Sequence, residues 1–309
     1  MLQVRSVSRS FGELRAVDDV SFDVAPGRMT GFVGANGSGK TTTMRIILGV
    51  LAADSGTVLW ENREVTQTVR QRFGYMPEER GLYPKMKAAE QVAYLGRLHG
   101  MERAAAERNA AALLEQLGLA ERADDPVEQL SLGNQQRVQI AAALVHDPGL
   151  LILDEPFSGL DPLAIEIVLS VLRDRASRGV PVLFSSHQLD VVERLCDDLV
   201  IIAAGAVAAS GSRDELRRQF GPSRFQLVVD DDAGWVRDVP GVRLVELDGP
   251  RAVFDLDEES PPGDAYGAAP AGGAGDRDQA VLQAALQRGP VRSYGPVVPS
   301  LSEIFKEVV

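Results

Sequence analysis

A glycine-rich stretch between an apolar run and a helical run constrains this chain more than any other feature. Residues 34–41 read Gly-Ala-Asn-Gly-Ser-Gly-Lys-Thr; they follow the apolar run Met29–Val33 and open a helical pattern over residues 41–48. Glycines let the backbone curl so that its N–H groups point inward at an anion, and a helix N-terminus adds the positive end of a dipole. The order strand, loop, helix is the context in which the pattern G-x-x-x-x-G-K-[ST] binds phosphate. The stretch therefore predicts a phosphate-binding loop.

Two side chains at the end of this loop carry the chemistry expected of a nucleoside triphosphate site. Lys40 supplies a positive charge for the β- and γ-phosphates, and Thr41 offers a hydroxyl to Mg²⁺. The other interpretation, a glycine turn with a solvated lysine, is disfavoured by the strand before the loop and the helix after it. The residues predicted to contact the nucleotide here are Gly34, Asn36, Gly37, Ser38, Gly39, Lys40, Thr41 and Thr42.

A second candidate feature is a buried-type strand that ends in two carboxylates. The apolar run Leu150–Leu153 is followed by Asp154 and Glu155. At the carboxyl edge of a parallel sheet these side chains are expected beside the phosphate loop. Asp154 is then a candidate to hold Mg²⁺ through its waters, and Glu155 is a candidate to orient or deprotonate an attacking water. Taken alone, the pattern also fits a solvated strand end.

Short apolar runs rich in Val, Ile and Leu alternate with helical patterns through the first 220 residues. Such runs are typical of strands buried on both faces of a parallel sheet, and the alternation favours an α/β fold. The predicted strands are 4–8, 20–24, 29–33, 150–153 and 181–184, and the predicted helices are 41–48, 88–98, 102–117, 135–145 and 163–176.

The composition of the sequence and the order of its predicted elements change near residue 221. Strands are predicted at 224–229, 242–247 and 252–256, and helices at 278–287 and 301–308. Residues 260–277 are rich in Gly, Ala and Pro, and such a segment buries little apolar surface. We therefore expect a nucleotide-binding domain over residues 1–220 and a small α+β accessory domain over residues 221–309, with a flexible loop near residues 260–277.

Bulk composition excludes several classes of protein. The formal net charge of −12 argues against non-specific nucleic-acid binding, because a phosphate backbone attracts basic surfaces. No run approaches the roughly 20 apolar residues that span a bilayer. The single cysteine, Cys196, permits no disulfide within the chain. We expect a chain that is soluble by itself and reaches a membrane only through a partner.

Four further sequence features, in the order in which the family has them, resemble those of the ATP-binding subunits of ABC transporters. Residues 130–137, LSLGNQQR, resemble the family signature LSGGQ, and residues 158–162, SGLDP, resemble the loop that follows the acidic strand. His187 resembles the switch histidine of the family. Phe11 lies where the family places an aromatic ring that stacks on adenine, although a strand phenylalanine facing the core fits the local sequence equally well. The resemblance covers about residues 1–220.

The resemblance implies a phosphate-loop NTPase cassette with an antiparallel β subdomain and a helical subdomain. Its expected cofactors are ATP and Mg²⁺, and two subunits are expected to enclose two ATP molecules, with Ser131 and Gly133 of one completing the site of the other. Glu155 and His187 are then the catalytic pair, together with Lys40. The expected partners are a second ATP-binding subunit, identical or different, and a separate membrane-spanning subunit. The chain is expected in the cytoplasm, on the inner face of the membrane.

The sequence departs from the family pattern at two places. Leu132 and Asn134 replace the usual Gly and Gln of the signature, and Glu78 stands where the family places a Gln that couples Mg²⁺ to the membrane partner. A carboxylate is also a hard oxygen ligand, so Glu78 is a third candidate metal ligand beside Thr41 and Asp154. The forms GYMPEERGLYPKM and SLGNQQRVQ resemble a bacterial exporter branch that includes drug-resistance and sodium-efflux subunits.

Three other functions stay open at this point. A soluble ABC ATPase that acts on ribosomes or DNA usually has two cassettes or a long coiled-coil insertion, and this chain has one cassette and no heptad run. A non-hydrolysing regulator is expected to lack the catalytic carboxylate, which is present as Glu155. A weakly hydrolysing partner in a heterodimeric ABC pair is compatible with the altered signature.

Overall fold

A computed structural model describes residues 1–79, 81–220, 224–256 and 274–297, together with residues 300, 303 and 305. The chain divides into two compact units, one built from residues 1–213 and the other from residues 214–307. The division falls at the first residue of the helix Arg213–Phe220. In the described part of the chain, no helix has the length and apolar character needed to cross a membrane.

The first unit contains two sheets and a group of helices. Its strands are β1 (Leu2–Phe11), β2 (Leu14–Val24), β3 (Met29–Val33), β4 (Ser55–Trp60), β5 (Arg63–Glu64), β6 (Phe73–Met76), β7 (Leu150–Leu153), β8 (Val182–Ser186), β9 (Asp198–Ala203) and β10 (Ala206–Ser212). Its helices are α1 (Lys40–Ile47), α2 (Gln67–Arg70), α3 (Ala88–Leu98), α4 (Arg103–Gln116), α5 (Leu132–Leu144), α6 (Pro162–Ser177) and α7 (Leu189–Leu195). A further helix, α8 (Arg213–Phe220), begins at Arg213, the last residue of this unit.

The smaller sheet of this unit is antiparallel, with strand order β2-β1-β4-β5. The predicted strands 4–8 and 20–24 are too short, because β1 and β2 continue toward each other and only Gly12 and Glu13 separate them. The polar residues Arg9 and Ser10 that interrupt the apolar alternation lie at partly or fully exposed positions, so the pairing continues through them. Phe11 and Leu14 become cross-strand neighbours at the tip of the hairpin.

The larger sheet has strand order β10-β9-β3-β8-β7-β6, with β3, β6, β7, β8 and β9 parallel. Every residue of β3, β7 and β8 is buried, as the apolar runs predict for central strands covered on both faces. The α/β fold class is therefore confirmed. Because parallel strands end at one edge, the phosphate loop after β3, Asp154 after β7 and Pro77 after β6 come to the same side of the sheet.

Helices α3, α4 and α5 pack together and form the helical subdomain. Helix α5 begins at Leu132, three residues before the predicted start at 135. The reason is an N-terminal cap, because the Ser131 hydroxyl accepts a hydrogen bond from the backbone N–H of Asn134 at 3.3 Å. Gly133 and Asn134 therefore belong to the first turn of α5 and not to a loop before it.

The second unit contains residues 214–220 of α8 and, among its described residues from 224 onward, an antiparallel sheet and a further α-helix. Its elements are β11 (Arg224–Val229), β12 (Val242–Asp248), β13 (Arg251–Leu256), α9 (Ala274–Arg288) and β14 (Val291–Pro296), and the strand order is β12-β13-β11-β14. Leu227, Phe254 and Val281 are central to its apolar core. Helix α9 starts within the predicted loop 260–277, whose residues 260–273 lie outside the described part of the chain. Most of the predicted helix 301–308 lies outside it too.

Candidate nucleotide site

The loop between β3 and α1 is folded around its own lysine. Lys40 is the first residue of α1, and its Nζ donates to the backbone oxygens of Gly34 at 2.7 Å and Ala35 at 3.1 Å. Burial lowers the pKa of Lys40, while the charges of Glu155, Asp154 and Glu78 act in the opposite direction. The ammonium group therefore lies under the concave loop, within electrostatic reach of three carboxylates.

The curvature of the loop depends on glycine at defined positions. Gly37 and Gly39 have φ angles of +80° and +105°, in a region that side chains with a Cβ avoid. Gly34 has no such angle, but a Cβ there would lie 2.4 Å from the backbone oxygen of Ile202 and 2.4 Å from Oγ of Ser38. The packing against β9 therefore requires glycine at 34, and it buries the Ser38 side chain beneath the loop.

Asp154 connects Thr41 of α1 to Ser185 of β8. One carboxylate oxygen accepts a hydrogen bond from Oγ1 of Thr41 at 2.8 Å, and the other accepts one from Oγ of Ser185 at 2.5 Å. Asp154 is almost fully buried, at 1% exposure, while Thr41 lines the cavity above it. Hydroxyl and carboxylate oxygens side by side are the hard donors that Mg²⁺ prefers, so this pair fits the metal that the sequence predicts.

Glu155 owes its position to an unusual backbone angle. Adjacent strand residues face opposite ways, but β7 ends at Leu153 and Glu155 has φ of +51°. Its backbone N–H donates to Oγ of Ser185 at 2.8 Å, and its carboxylate lies 3.0 Å from Nδ1 of His187. The turn brings the Glu155 carboxylate into the same cavity as that of Asp154.

A cavity of about 360 Å³ opens above these groups. The predicted residues that line it are Phe11, Asn36, Gly37, Gly39, Lys40, Thr41, Thr42, Glu78, Asp154 and Glu155. Phe11 is 47% exposed, which rejects the core-facing interpretation, and the guanidinium of Arg9 lies 5.1 Å from its ring centre. The cavity thus has an apolar end at the β1–β2 hairpin and a charged end at the loop.

Sequence reasoning missed three residues of this site. Leu14 and Ala16 line the apolar end, and Ser185 links Asp154 to Glu155. Once the β1–β2 register is known, Leu14 follows from its pairing with Phe11. Ser185 could have been found from the two serines that end the buried strand before His187, because buried hydroxyl groups require hydrogen-bond partners.

Ser131 and Gly133 do not line this cavity. Ser131 is exposed at the start of α5, and Leu132 beside it is 60% exposed. Oδ1 of Asn134 accepts a hydrogen bond from Arg137 at 2.6 Å, and Arg137 also donates to the backbone oxygen of Leu117 at 2.7 Å. The asparagine that replaces the usual glutamine is therefore tied to its own helix.

Comparison with known proteins identifies the family of this chain. The family model described as ABC transporter matches residues 17–158. The ABC transporter ATP-binding protein YhaQ of Bacillus subtilis (strain 168) is 37% identical over 309 residues, which are 100% of this chain and 98% of the relative. This chain belongs to the ABC transporter ATP-binding proteins. The linearmycin resistance ATP-binding protein LnrL of the same organism is 36% identical over 233 residues, which cover 74% of this chain and 75% of LnrL.

Solved structures support the same ABC cassette fold. A structure of the ATP binding subunit of an ABC transporter is 35% identical, with a TM-score of 0.66 over 72% of this chain and 93% of that one. A dimeric structure of a post-hydrolysis state of the ATP-binding cassette MJ0796, bound to ADP and Pi, is 25% identical, with a TM-score of 0.63 over 69% of this chain and 98% of that one. The resemblance that the sequence motifs indicate is confirmed at the level of family and fold.

Proposed function

We propose that this ABC ATP-binding protein hydrolyses MgATP and thereby drives transport, in the export direction, through a separate membrane-spanning subunit. The observation that carries the proposal is the position of Glu155. Its carboxylate lies in the wall of a cavity that also contains Lys40, and it is 3.0 Å from Nδ1 of His187. A carboxylate so placed has the geometry of a general base for a water that attacks a γ-phosphate.

The nucleotide is assigned along the length of the cavity. The exposed ring of Phe11 stacks the adenine, and Lys40 and the backbone N–H groups of the loop bind the phosphates. Thr41 and Asp154 would hold Mg²⁺, and Glu78, which lines the same cavity, would be a further oxygen ligand. When bound, the metal supplies positive charge that neutralises the phosphate oxygens.

Hydrolysis requires a proton acceptor and a group that holds the transferred phosphate. The attacking water gives its proton to the Glu155 carboxylate as its oxygen bonds to the γ-phosphorus and the bond to ADP breaks. His187 uses Nδ1 toward Glu155, which leaves Nε2 as the ring nitrogen available to a γ-phosphate oxygen. Ser185 fixes the backbone of Glu155 through a hydrogen bond of 2.8 Å.

We also propose that two subunits act together. Ser131 and Gly133 lie outside the cavity of their own chain, and Ser131 is exposed at the N-terminus of α5. A helix N-terminus binds anions, so this turn can complete a phosphate site on a second cassette. The dimeric MJ0796 cassette supports such an arrangement. A different second subunit, in a heterodimer with weak hydrolysis by this chain, is the second candidate because Leu132 and Asn134 alter the signature.

The assignment of Glu155 is tested by the substitution Glu155→Gln. The amide keeps the shape and hydrogen bonds but accepts no proton, so we expect the rate of ATP hydrolysis to fall by about 10²–10⁴-fold while ATP binding is kept. Steady-state turnover and equilibrium binding of a fluorescent ATP analogue measure the two effects. Glu121→Gln, at an exposed position away from the cavity, is the matched control. Wild-type turnover in Glu155→Gln would show that Glu155 is not the base.

The transport role is tested separately by purifying the Glu155→Gln chain from host membranes with and without ATP. A polytopic membrane protein that is recovered in larger amount with ATP is the expected result. The resistance function named for LnrL supports export, and a peripheral location on the inner face of the membrane follows from the same partner. Recovery of ribosomes or DNA without a membrane protein would favour a soluble ABC ATPase instead.

A further inference from the structure

Helix α5 presents two buried glutamines to the sheet. Gln136 and Gln139 are three residues apart, which places them on one face of the helix, and their exposures are 2% and 4%. Amide side chains at such depth require hydrogen-bond partners, and both find them in the backbone of other segments. The same helix carries Ser131 and Gly133 in its cap and first turn.

Gln136 binds the turn that follows β7. Its Nε2 donates to the backbone oxygens of Glu155 at 3.1 Å and Pro156 at 3.3 Å. The turn at Glu155 is therefore held on one side by Ser185 of β8 and on the other side by α5.

Gln139 binds the segment that follows β6. Its Nε2 donates to the backbone oxygen of Pro77 at 2.7 Å and to that of Glu79 at 3.3 Å. These two carbonyl groups flank Glu78, so one amide group brackets the residue that replaces the usual glutamine. The Oε1 atom of Gln139 has no hydrogen-bond partner within the described residues. A leucine or methionine would fill this position without leaving a buried oxygen unpaired, so packing alone does not explain the amide.

Glu78, between the two carbonyl groups that Gln139 binds, is exposed and lines the nucleotide cavity. Its charge acts on Lys40 together with those of Asp154 and Glu155. The position of the segment 77–79 therefore decides how close a third carboxylate comes to the phosphates and their metal.

We propose that Gln139 is a positioning residue that connects α5 to Glu78. Through its two hydrogen bonds, the helix that begins with the signature sets the place of Glu78 in the cavity, so that a displacement of α5 relative to the sheet also displaces Glu78. The proposal rests on the proposed ATPase function. It adds a specific role for Gln139, which joins the segment GYMPEE to the segment QQRVQ through two hydrogen bonds.

The substitution Gln139→Leu tests this role in the full-length chain. Leucine has a similar volume but donates no hydrogen bond. We therefore expect kcat for ATP hydrolysis to fall by about tenfold with KM changed less than about twofold, as for other residues that orient a metal ligand through hydrogen bonds. Hydrogen–deuterium exchange at the peptide that contains residues 77–79 is expected to increase in the same variant, because the two carbonyl groups lose their donor.

Gln91→Leu is the matched control. Gln91 lies on the neighbouring helix α3, is fully buried, and neither its Nε2 nor its Oε1 has a hydrogen-bond partner in the part of the chain that the structure describes. The same chemical change at this position is expected to leave kcat and exchange at residues 77–79 unchanged. A general loss of stability from a leucine in this subdomain would affect both variants.

The double variant Gln139→Leu with Glu78→Ala decides whether Gln139 acts through Glu78, because alanine removes the oxygen ligand at residue 78. The two losses in kcat are expected to combine to much less than their product. Independent losses would overturn the proposal. So would wild-type kcat and exchange in Gln139→Leu, or wild-type kcat in Glu78→Ala beside a slow Gln139→Leu. A wild-type chain that hydrolyses no ATP contradicts the proposed function instead, and the exchange measurement then still decides whether Gln139 fixes the segment.

Discussion

At the scale of single residues, backbone conformation positions the chemistry of this site. Glu155 reaches the cavity because its φ of +51° reverses the direction that a continued strand would give it. Left-handed angles at non-glycine residues are costly and are found where surrounding contacts enforce them. At Glu155 these contacts come from Ser185 and Gln136, which bind its N–H and its carbonyl oxygen.

Two glycines of the phosphate loop allow a matched test of backbone strain. Alanine at Gly37 or Gly39 forces a left-handed angle on a residue with a Cβ, which costs about 1–2 kcal/mol. Only at Gly39 does the added Cβ also clash, at 2.5 Å from the backbone oxygen of Ala16, whereas nothing lies within 4 Å at Gly37. We expect Gly39→Ala to lower the free energy of unfolding by about 1–3 kcal/mol more than Gly37→Ala, as measured by urea denaturation without nucleotide. Equal losses would contradict the clash with Ala16.

At the scale of elements, a network of charged side chains joins three strands of the accessory unit. Asp255 of β13 is 4% exposed and accepts hydrogen bonds from Arg224 of β11 at 2.7 Å and from Arg243 of β12 at 2.9 Å. Arg224 also pairs with Glu303. Burial raises the pKa of Asp255, but the hydrogen bonds from Arg224 and Arg243 outweigh it and the pKa is lowered.

This network makes the free energy of unfolding of the accessory unit depend on pH. Because the pKa of Asp255 is lower in the folded than in the unfolded state, its contribution is complete above the unfolded value of about 3.9 and is lost as the pH falls through the folded value. We expect Asp255→Asn to cost roughly 1–3 kcal/mol at pH 7 and less at pH 3, where the carboxyl group of the unfolded chain is already largely protonated.

Fluorescence of Trp235 during urea unfolding reports on this unit, in a Trp60→Phe background that removes the tryptophan of the first unit. Asp248→Asn, at an exposed position on β12, serves as the control. A loss in Asp255→Asn that is the same at both pH values would reject the ionic origin of the effect.

The sequence predicts the central elements of the fold better than the contacts between them. Strands β3 and β7 and helix α3 have the predicted bounds because long apolar or periodic patterns are local signals. The strand Phe73–Met76 was missed because it contains no Val, Ile or Leu, the residues that mark the other parallel strands. Within the site, the loop and the two carboxylates could be predicted from motifs, but Leu14, Ser185 and Gln139 depend on the register of a hairpin and on tertiary packing.

At the scale of the whole molecule, charge and chemistry are divided between the two units. All residues that line the cavity belong to residues 1–213. Residues 221–309 contain 8 Lys and Arg against 15 Asp and Glu, a net charge of −7, so less than a third of the chain carries more than half of the total of −12. We propose that residues 221–309 form an accessory domain that supports dimerisation or regulates it, and that they take no part in binding ATP.

Removal of residues 222–309 separates these two roles. Because the cavity is complete without them, we expect the Kd for an ATP analogue to change less than about twofold, a difference below about 0.4 kcal/mol. The protein concentration that gives half-maximal specific ATPase activity is expected to rise, because a weaker dimer needs more subunits. Specific activity measured over a range of concentrations tests this expectation. Identical concentration dependence in both chains would reject a role in dimerisation.

The hairpin tip that carries Phe11 and Leu14 has a consequence for the choice of nucleotide. These cross-strand neighbours offer the base a ring face and methyl groups, and an aromatic face attracts guanine as readily as adenine. Discrimination between purines relies on donors and acceptors that meet the edge of the base, and the apolar end formed by Phe11, Leu14 and Ala16 presents none from its side chains. We therefore expect GTP to be hydrolysed in vitro at a rate similar to that of ATP. In the cell, the abundance of ATP, rather than selectivity of the site, would then decide which triphosphate is hydrolysed.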